Sequence, residues 1–234
     1  MHADDENFSG AVVRSAALAP LFRGRFCEVL LPNRAVQVFE EDEVLYEMAA
    51  RERTFFFVRS GIVKVGTITA NGREIIYDLR KDRDVVGELC VLEVVRRDRA
   101  VAVERTEAIP VPFDEVMDSL AQHPQLLRDF VAMFCHALAE AHEQVNRLAA
   151  DDVMPRLVGV LKTLAGKLGR PSGEQVEIAA YLTQEEVAQM VMARRERVST
   201  ALNALRRRGI ARYSSRGRLI LDMRALDDYV ACMR

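Results

Sequence analysis

Between Leu127 and Leu148 seven apolar residues return at alternating spacings of four and three: Leu127, Val131, Phe134, Leu138, Ala141, Val145 and Leu148. That is a heptad seam, and it predicts one helix from about Gln125 to Ala150. At 1.5 Å per residue such a helix is roughly 40 Å long, more than a small β domain can cover. The seam therefore predicts a parallel coiled coil between two copies of the chain. The alternative is packing of the seam within its own domain.

What precedes the helix reads as strands. Over residues 36–112, short apolar or β-branched runs (Phe55–Val58, Ile62–Ile68, Ile75–Leu79, Val101–Val103, Ile109–Val111) are separated by turn signals. Asn71-Gly72 lies between two alternating runs and predicts a two-residue type I′ hairpin. Many short strands with little helix imply an antiparallel barrel or roll. Residues 1–15 read as disordered and Ala16–Leu31 as a short helix. Phe113–Ala121 reads as another, stopped by His123-Pro124. After the long helix, Pro155 suits the first turn of a helix continuing through Arg156–Leu168, and Gly169–Gly173 reads as a hinge or surface loop.

Residues 183–221 carry the clearest local chemistry. Thr183 and Glu186 stand at capping-box spacing, so each side chain can satisfy a free amide of the first turn. Val187, Ala188 and Val191 give a short apolar face, and the helix should break near Met192-Ala193. A second helix follows on Val198, Leu202 and Leu205 and ends at Gly209, with Arg206, Arg207 and Arg208 suited to its carboxyl end. Strands around Ile210–Tyr213 and Arg218–Leu221, joined by Ser214–Gly217, complete a winged helix-turn-helix. From Ala193 to Arg218 there are nine arginines and one acid, Glu196. They fall at the start of the second helix and in the hairpin, the parts that meet DNA in such domains.

Composition sets the outer bounds. At 234 residues the chain fits one large or two modest domains. Residues 151–234 hold 15 basic and 10 acidic side chains, net +5, which leaves −7 for residues 1–150 out of a total of −2. An acidic half joined to a basic one suits a sensor joined to a DNA reader. No apolar run approaches a membrane span, and the start MHADDENFSG is unlike a signal peptide. Cys27, Cys90, Cys135 and Cys232 have no ligand spacing, which predicts reduced thiols in a cytoplasmic protein and no metal site. His136 and Glu140 share a helical face, but a single such pair is ordinarily solvated surface. No nucleophile–base set, phosphate loop or zinc-protease spacing is present, so an enzyme is not expected.

A roll ending in Gly87-Glu88-Leu89 and Arg99-Ala100, a long dimer helix, and Arg194-Arg195-Glu196 leading into Val198-Ser199 together resemble the CRP/FNR superfamily of bacterial transcription regulators. The resemblance implies an α+β fold: a cyclic-nucleotide-binding-like antiparallel β-roll (16–123), a dimerisation helix (124–150) and a winged helix-turn-helix (151–234). It implies a homodimer on a pseudo-palindromic double-stranded operator, with RNA polymerase as a further partner. Arg195 and Glu196 take the places that read base edges, where arginine can grip guanine and glutamate can accept from cytosine. Arg194, Ser199, Thr200, Arg216 and Arg218 complete the expected DNA contacts. The chain departs from the family at Thr200, where a further arginine is usual. Met192 replaces a common glycine, and Arg194 a capping serine.

For the sensor, the resemblance gives Glu88 to a ribose 2′-hydroxyl and Arg99 to a cyclic phosphate, with Gly87, Leu89 and Ala100 as the frame. The base-contacting pair falls on Ala141-His142, leaving His142 as the donor. Cyclic AMP or another cyclic nucleotide is then the expected effector. The alternatives are a regulator that needs no ligand, its Glu88 and Arg99 paired with each other, and a cyclic-nucleotide module acting on a protein partner. The clustered N-terminal cysteines of the iron–sulfur branch are missing, and haem through His142 has no motif behind it.

Overall fold

Thr54–Ser60 (β3) carries Phe55, Phe56, Phe57 and Val58 in a row, all buried. Successive strand residues point to opposite faces, so such a run needs cover on both sides. In the computed structural model, which describes residues 29–91, 95–148, 152–214 and 217–232, it has both. Phe55 and Phe57 share a core with Val116 and Leu120 of α1 (Phe113–Gln122) and with Leu126, Phe130 and Met133 of α2 (Pro124–Leu148). Phe56 and Val58 join Tyr46, Val63, Val65, Ala100 and Ala102 inside the roll.

The roll is two four-stranded antiparallel sheets. One has the order β1 (Gln37–Phe39), β8 (Thr106–Pro112), β3, β6 (Val85–Val86), and the other β2 (Val44–Tyr46), β7 (Arg99–Ala102), β4 (Ile62–Ile68), β5 (Glu74–Lys81). The hairpin between β4 and β5 differs from the expected type I′ turn. Gly72 has φ +78°, but Asn71 is not in the left-handed region. Thr69 N donates to Arg73 O and Gly72 N to Thr69 O, so three residues make the connection rather than two. A three-residue loop with its glycine left-handed needs only one such residue. A register shift between Val65 and Gly66 opposite Tyr77 then lets Ile76 and Leu79, three apart, join one core.

Of the helix expected over 16–31 only the end is described, with Val29 and Leu30 helical; the expected disorder of 1–15 lies outside the described residues. The long helix is present over 124–148, but its seam is shared. Phe134 packs edge-on against Phe130 at 5.0 Å in the roll-side core, and Leu148 is half-buried where α2 meets the C-terminal half. Leu127, Val131, Leu138, Ala141 and Val145 remain exposed.

The C-terminal half opens with α3 (Val153–Leu168), where the Asp152 side chain accepts from Met154 N. The stretch read as a hinge is instead strand β9 (Gly169–Ser172), paired with β10 (Gln175–Ile178). Pro and Gly there mark a hairpin on a sheet edge, a place proline tolerates. The sheet continues through β12 (Leu219–Leu221) to β11 (Ala211–Tyr213). Between lie α4 (Gln184–Val191) and α5 (Arg195–Arg207). A final helix, α6 (Met223–Ala231), was not expected from the sequence; Asp222 caps it by accepting from Ala225 N. No described helix is long and apolar enough to cross a membrane.

The two halves are packed together. One buried cluster joins Ile62, Ile76 and Leu79 of the roll to Leu157, Leu161, Leu164, Val187, Val191, Leu202 and Leu226 of the C-terminal half. Polar contacts ring it. Lys64 Nζ lies 3.1 Å from Glu186 Oε1, Arg73 Nη2 donates to Ala193 O at 2.8 Å, and Gln189 Nε2 donates to Glu74 Oε2 at 3.3 Å.

Candidate nucleic-acid interface and roll interior

The helix-turn-helix is built as its local chemistry requires. Thr183 Oγ1 accepts from Glu186 N at 3.1 Å, and Glu186 Oε2 accepts from Thr183 N at 2.9 Å, closing the capping box. The helix ends on Met192 at φ +53°, left-handed, and Met192 N reaches back to Ala188 O and Gln189 O. A glycine would hold that conformation without Cβ strain, so the methionine stays there at some cost to stability. Val198, Ala201, Leu202 and Leu205 anchor α5 on its buried side.

The opposite side of α5 carries the expected DNA contacts. Arg194, Arg195, Glu196, Arg197 and Thr200 are exposed and Ser199 is half-buried. Arg194 is the N-cap but makes no side-chain cap bond, and Thr200 Oγ1 donates to Glu196 O at 2.9 Å. Further along, three arginines are bound to the protein itself, while Arg207 between two of them is exposed. Arg206 donates to Asn203 Oδ1, Arg208 to Ala204 O, and Arg212 to Gln175 Oε1. Arg206 also lies 5.6 Å from the Tyr213 ring and Arg208 5.3 Å from that of Tyr229. Arg194, Arg195 and Arg197 have no such partner among the described residues. Arg218 is half-buried at the base of the hairpin, its amide donating to Ser214 Oγ. Arg216 lies outside the described residues.

Inside the roll the geometry departs from expectation. Glu88 begins a single 3₁₀ turn after Gly87, whose φ is +90°. A Cβ on Gly87 would lie 2.7 Å from Thr54 O and 3.0 Å from Arg96 Nη1, so only glycine fits. Glu88 and Arg99 do not pair with each other. Glu88 Oε1 takes Arg80 Nη2 at 3.1 Å, while Arg99 is held by Glu47 at 3.2 Å and Glu74 at 3.5 Å. Leu89 and His142 are exposed, and Ala100 is buried in the roll core.

Of the residues that fill this interior, the resemblance points to Arg96 alone, as a helper of Arg99 at a cyclic phosphate, and to neither Tyr46 nor Asp98. Arg96 is buried, donating to Thr54 O at 2.5 Å and Gly87 O at 3.3 Å, with its guanidinium 3.9 Å from the Tyr46 ring centroid. Tyr46 OH donates to the buried Asp98 Oδ2 at 2.8 Å. Asp98 is buried immediately before Arg99, which turns to the glutamates, and no local pattern marks the difference because Ala100, Val101 and Ala102 that follow are all buried. Burial pushes the Glu88 and Asp98 carboxyls up from their ordinary range, against the pull of Arg80 on the first and of the Tyr46 hydroxyl and Arg96 on the second. Burial likewise raises the Tyr46 phenol, and Asp98 adds to it.

A cyclic phosphate bound at Arg99 would need to displace two carboxylates from it. As arranged, these residues do not fit it. The described residues also hold no cluster of three or more metal-ligating side chains, and Glu140, paired in sequence with His136, contacts Lys167 instead.

Asp84, close to Arg80, gives a pH test. Burial raises its carboxyl to about 6, with the Lys81 amide and Arg80 opposing. Because the folded value lies above the unfolded one near 3.8, its contribution to stability is full below about pH 4 and is lost as pH rises towards 6. Asp84→Asn keeps an acceptor for the Lys81 amide. Its stability, measured by denaturant titration from pH 4 to 7, should fall less steeply than that of the parent, by up to about 3 kcal/mol over the range.

Comparison with known proteins agrees with this layout. Residues 36–123 match the cyclic nucleotide-binding domain model and residues 155–229 the Crp-like helix-turn-helix domain model. The chain is 28% identical over 172 residues to the CRP-like cAMP-activated global transcriptional regulator of Mycobacterium tuberculosis, covering 73% of this chain and 77% of that one. It is 25% identical over 199 residues to the global nitrogen regulator of Synechocystis, covering 84% and 88%. Its fold matches the solved structure of FixK2 from Bradyrhizobium japonicum with a TM-score of 0.71 at 21% identity, over 83% of this chain and 96% of that one. A cyclic-nucleotide-binding roll, a long helix and a Crp-like helix-turn-helix in one chain make it a member of the CRP/FNR family of transcription regulators.

Proposed function

We propose that the protein is a homodimeric regulator that reads a pseudo-palindromic operator. In it, residues 16–123 form the signal domain, 124–150 the dimer helix and 151–234 the DNA reader. The observation that carries this is the split among the arginines. Arg206 and Arg208 near the carboxyl end of α5 and Arg212 in β11 are bound to their own chain, leaving Arg207 exposed among them, whereas Arg194, Arg195 and Arg197 stand together exposed and uncommitted at the amino end, the end that enters the major groove. RNA polymerase is the partner through which such binding would act. We read the roll as closed by its own ion pairs rather than as a cyclic-nucleotide pocket, although the mycobacterial relative is named for activation by cAMP. Calorimetric titration with cyclic AMP, cyclic GMP and cyclic di-GMP should be flat; saturable binding that strengthens operator affinity would replace this reading with a cyclic-nucleotide switch.

The direct test is selection of operators from a random duplex pool, followed by fluorescence anisotropy across a salt series. Selected sites should be inverted repeats with half-sites roughly 10–11 base pairs apart. Arg195→Ala should cost about 1–3 kcal/mol of preference for the selected site and leave random DNA nearly unaffected. Arg218→Ala should weaken both alike and lower the salt slope by about one. Equal losses on both DNAs for Arg195→Ala would remove it from base reading.

A further inference from the structure

A line of alternating charges runs from the roll interior into the C-terminal half. Glu88 Oε1 meets Arg80 Nη2 at 3.1 Å, Arg80 Nε meets Asp78 Oδ2 at 3.1 Å, Asp78 Oδ1 meets Lys167 Nζ at 2.6 Å, and Lys167 Nζ meets Glu140 Oε2 at 3.2 Å. Lys167 sits in the last turn of α3 and is only 7% exposed, an unusual place for a lysine. Its carbonyl also accepts from Lys81 Nζ at 2.5 Å. One residue is thus bound twice to β5 and once to α2. Leu79, Val160 and Leu164 line the same cavity as Asp78 and Lys167, beside Gln144, Arg156 and Thr163, and the low exposure of Arg80, Asp78 and Lys167 leaves their charges less screened than surface ones.

We propose that Lys167 is the positioning residue through which the state of Glu88 sets the placement of the DNA-binding half on the roll. This rests on the DNA-binding function proposed above. Asp78 divides its two oxygens between Arg80 and Lys167, and Arg80 donates to Glu88 through Nη2 while its Nε stands 3.1 Å from Asp78 Oδ2 as an ion pair without a hydrogen bond. Neutralising Glu88 frees Arg80 to bind Asp78 with both donors, in competition with Lys167. The grip on α3 then loosens with no change needed in the backbone of β5. Glu88 Oε2 is a buried acceptor with no partner among the described residues, so a ligand group that donates to it reaches the first link of the line. Because α4 and the Ala193 carbonyl are docked on the same strand and hairpin, loosening at Lys167 changes how α5 is presented.

The test uses full-length parent, Glu88→Gln, Lys167→Met, the double variant and Lys167→Arg. Hydrogen exchange is followed at the amides of 164–168 and 184–191, and affinity for the selected operator is measured in parallel. Glu88→Gln should raise exchange at both segments and shift operator affinity by about fivefold or more. Lys167→Met should do the same, the double variant should be no worse than either single one, and Lys167→Arg should stay close to the parent. A purely structural ion pair gives another pattern: the two effects multiply, or Glu88→Gln leaves exchange at 164–168 unchanged. Either result overturns the proposal. If the parent selects no operator, the DNA-binding function fails, and the exchange data still decide whether Glu88 and Lys167 are coupled.

Discussion

Leu138→Glu and Val145→Glu are each expected to yield a monomer that no longer holds its operator. On α2, Leu127, Val131, Leu138 and Val145 are 47%, 51%, 57% and 64% exposed, on the same side of a 25-residue helix. The other side, at Leu126, Phe130 and Met133, is sealed against the roll. An exposed apolar stripe of this length on a helix that already has its own core marks an interface. A glutamate at either position would face its copy across a heptad seam, where two unpaired carboxylates lose water and repel each other. Two half-sites then bind independently, which removes about a hundredfold or more of affinity. Light scattering checks the mass, and anisotropy on single and paired half-sites checks the DNA. A dimer that survives both substitutions would place the interface elsewhere.

Arg96→Leu is the other substitution with a large expected effect, a loss of about 3–5 kcal/mol of stability at neutral pH. The arginine donates to Thr54 O and Gly87 O and lies over the Tyr46 ring, whose hydroxyl holds Asp98. Leucine fills much of the space but removes the arginine's donor from Thr54 O, leaves Gly87 O with Cys90 N alone, and leaves Asp98 without its counter-charge. Asp98 already titrates above its ordinary range because it is buried, and without Arg96 it should rise further. The deficit should therefore shrink as pH falls and Asp98 takes a proton. Adding Asp98→Asn should recover part of it at pH 7. Urea titration of the three proteins at pH 7 and pH 5 measures all of this; equal deficits at the two pH values would show that Asp98 is not the group left unpaired.

The parts of the protein legible in the sequence are those set by neighbours in the chain. The capping box at Thr183 and Glu186, the break at Met192 and the glycine after α5 are decided within a few residues, and they stand as read. The roll interior is different. Arg80 follows an apolar run and Arg96 lies in a charged loop, and nothing local says that either turns inward; Thr54 and Tyr46 from distant strands decide it for Arg96, and Glu88, from the 3₁₀ turn after β6, for Arg80. Arg99 fits the motif of a ligand residue, yet in space Glu47 and Glu74 hold it. Pro171 and Gly173 looked like a hinge because a short edge hairpin has the composition of a loop. The seam was legible as a period, but the period alone could not tell that Phe134 belongs to the roll's core.

The core that joins Ile62, Ile76 and Leu79 to the helices of the C-terminal half limits how this protein can be recombined. Its parts look like interchangeable modules when laid out along the chain. A chimera cut after residue 148, giving this roll another protein's DNA reader, would inherit three apolar side chains shaped for Leu157, Leu161 and Val187 and nothing to cover them. The graft that folds would have to carry strand β5 along with the reader, or import its match. For this chain the unit of exchange is a buried surface, and it does not coincide with any segment between two loops.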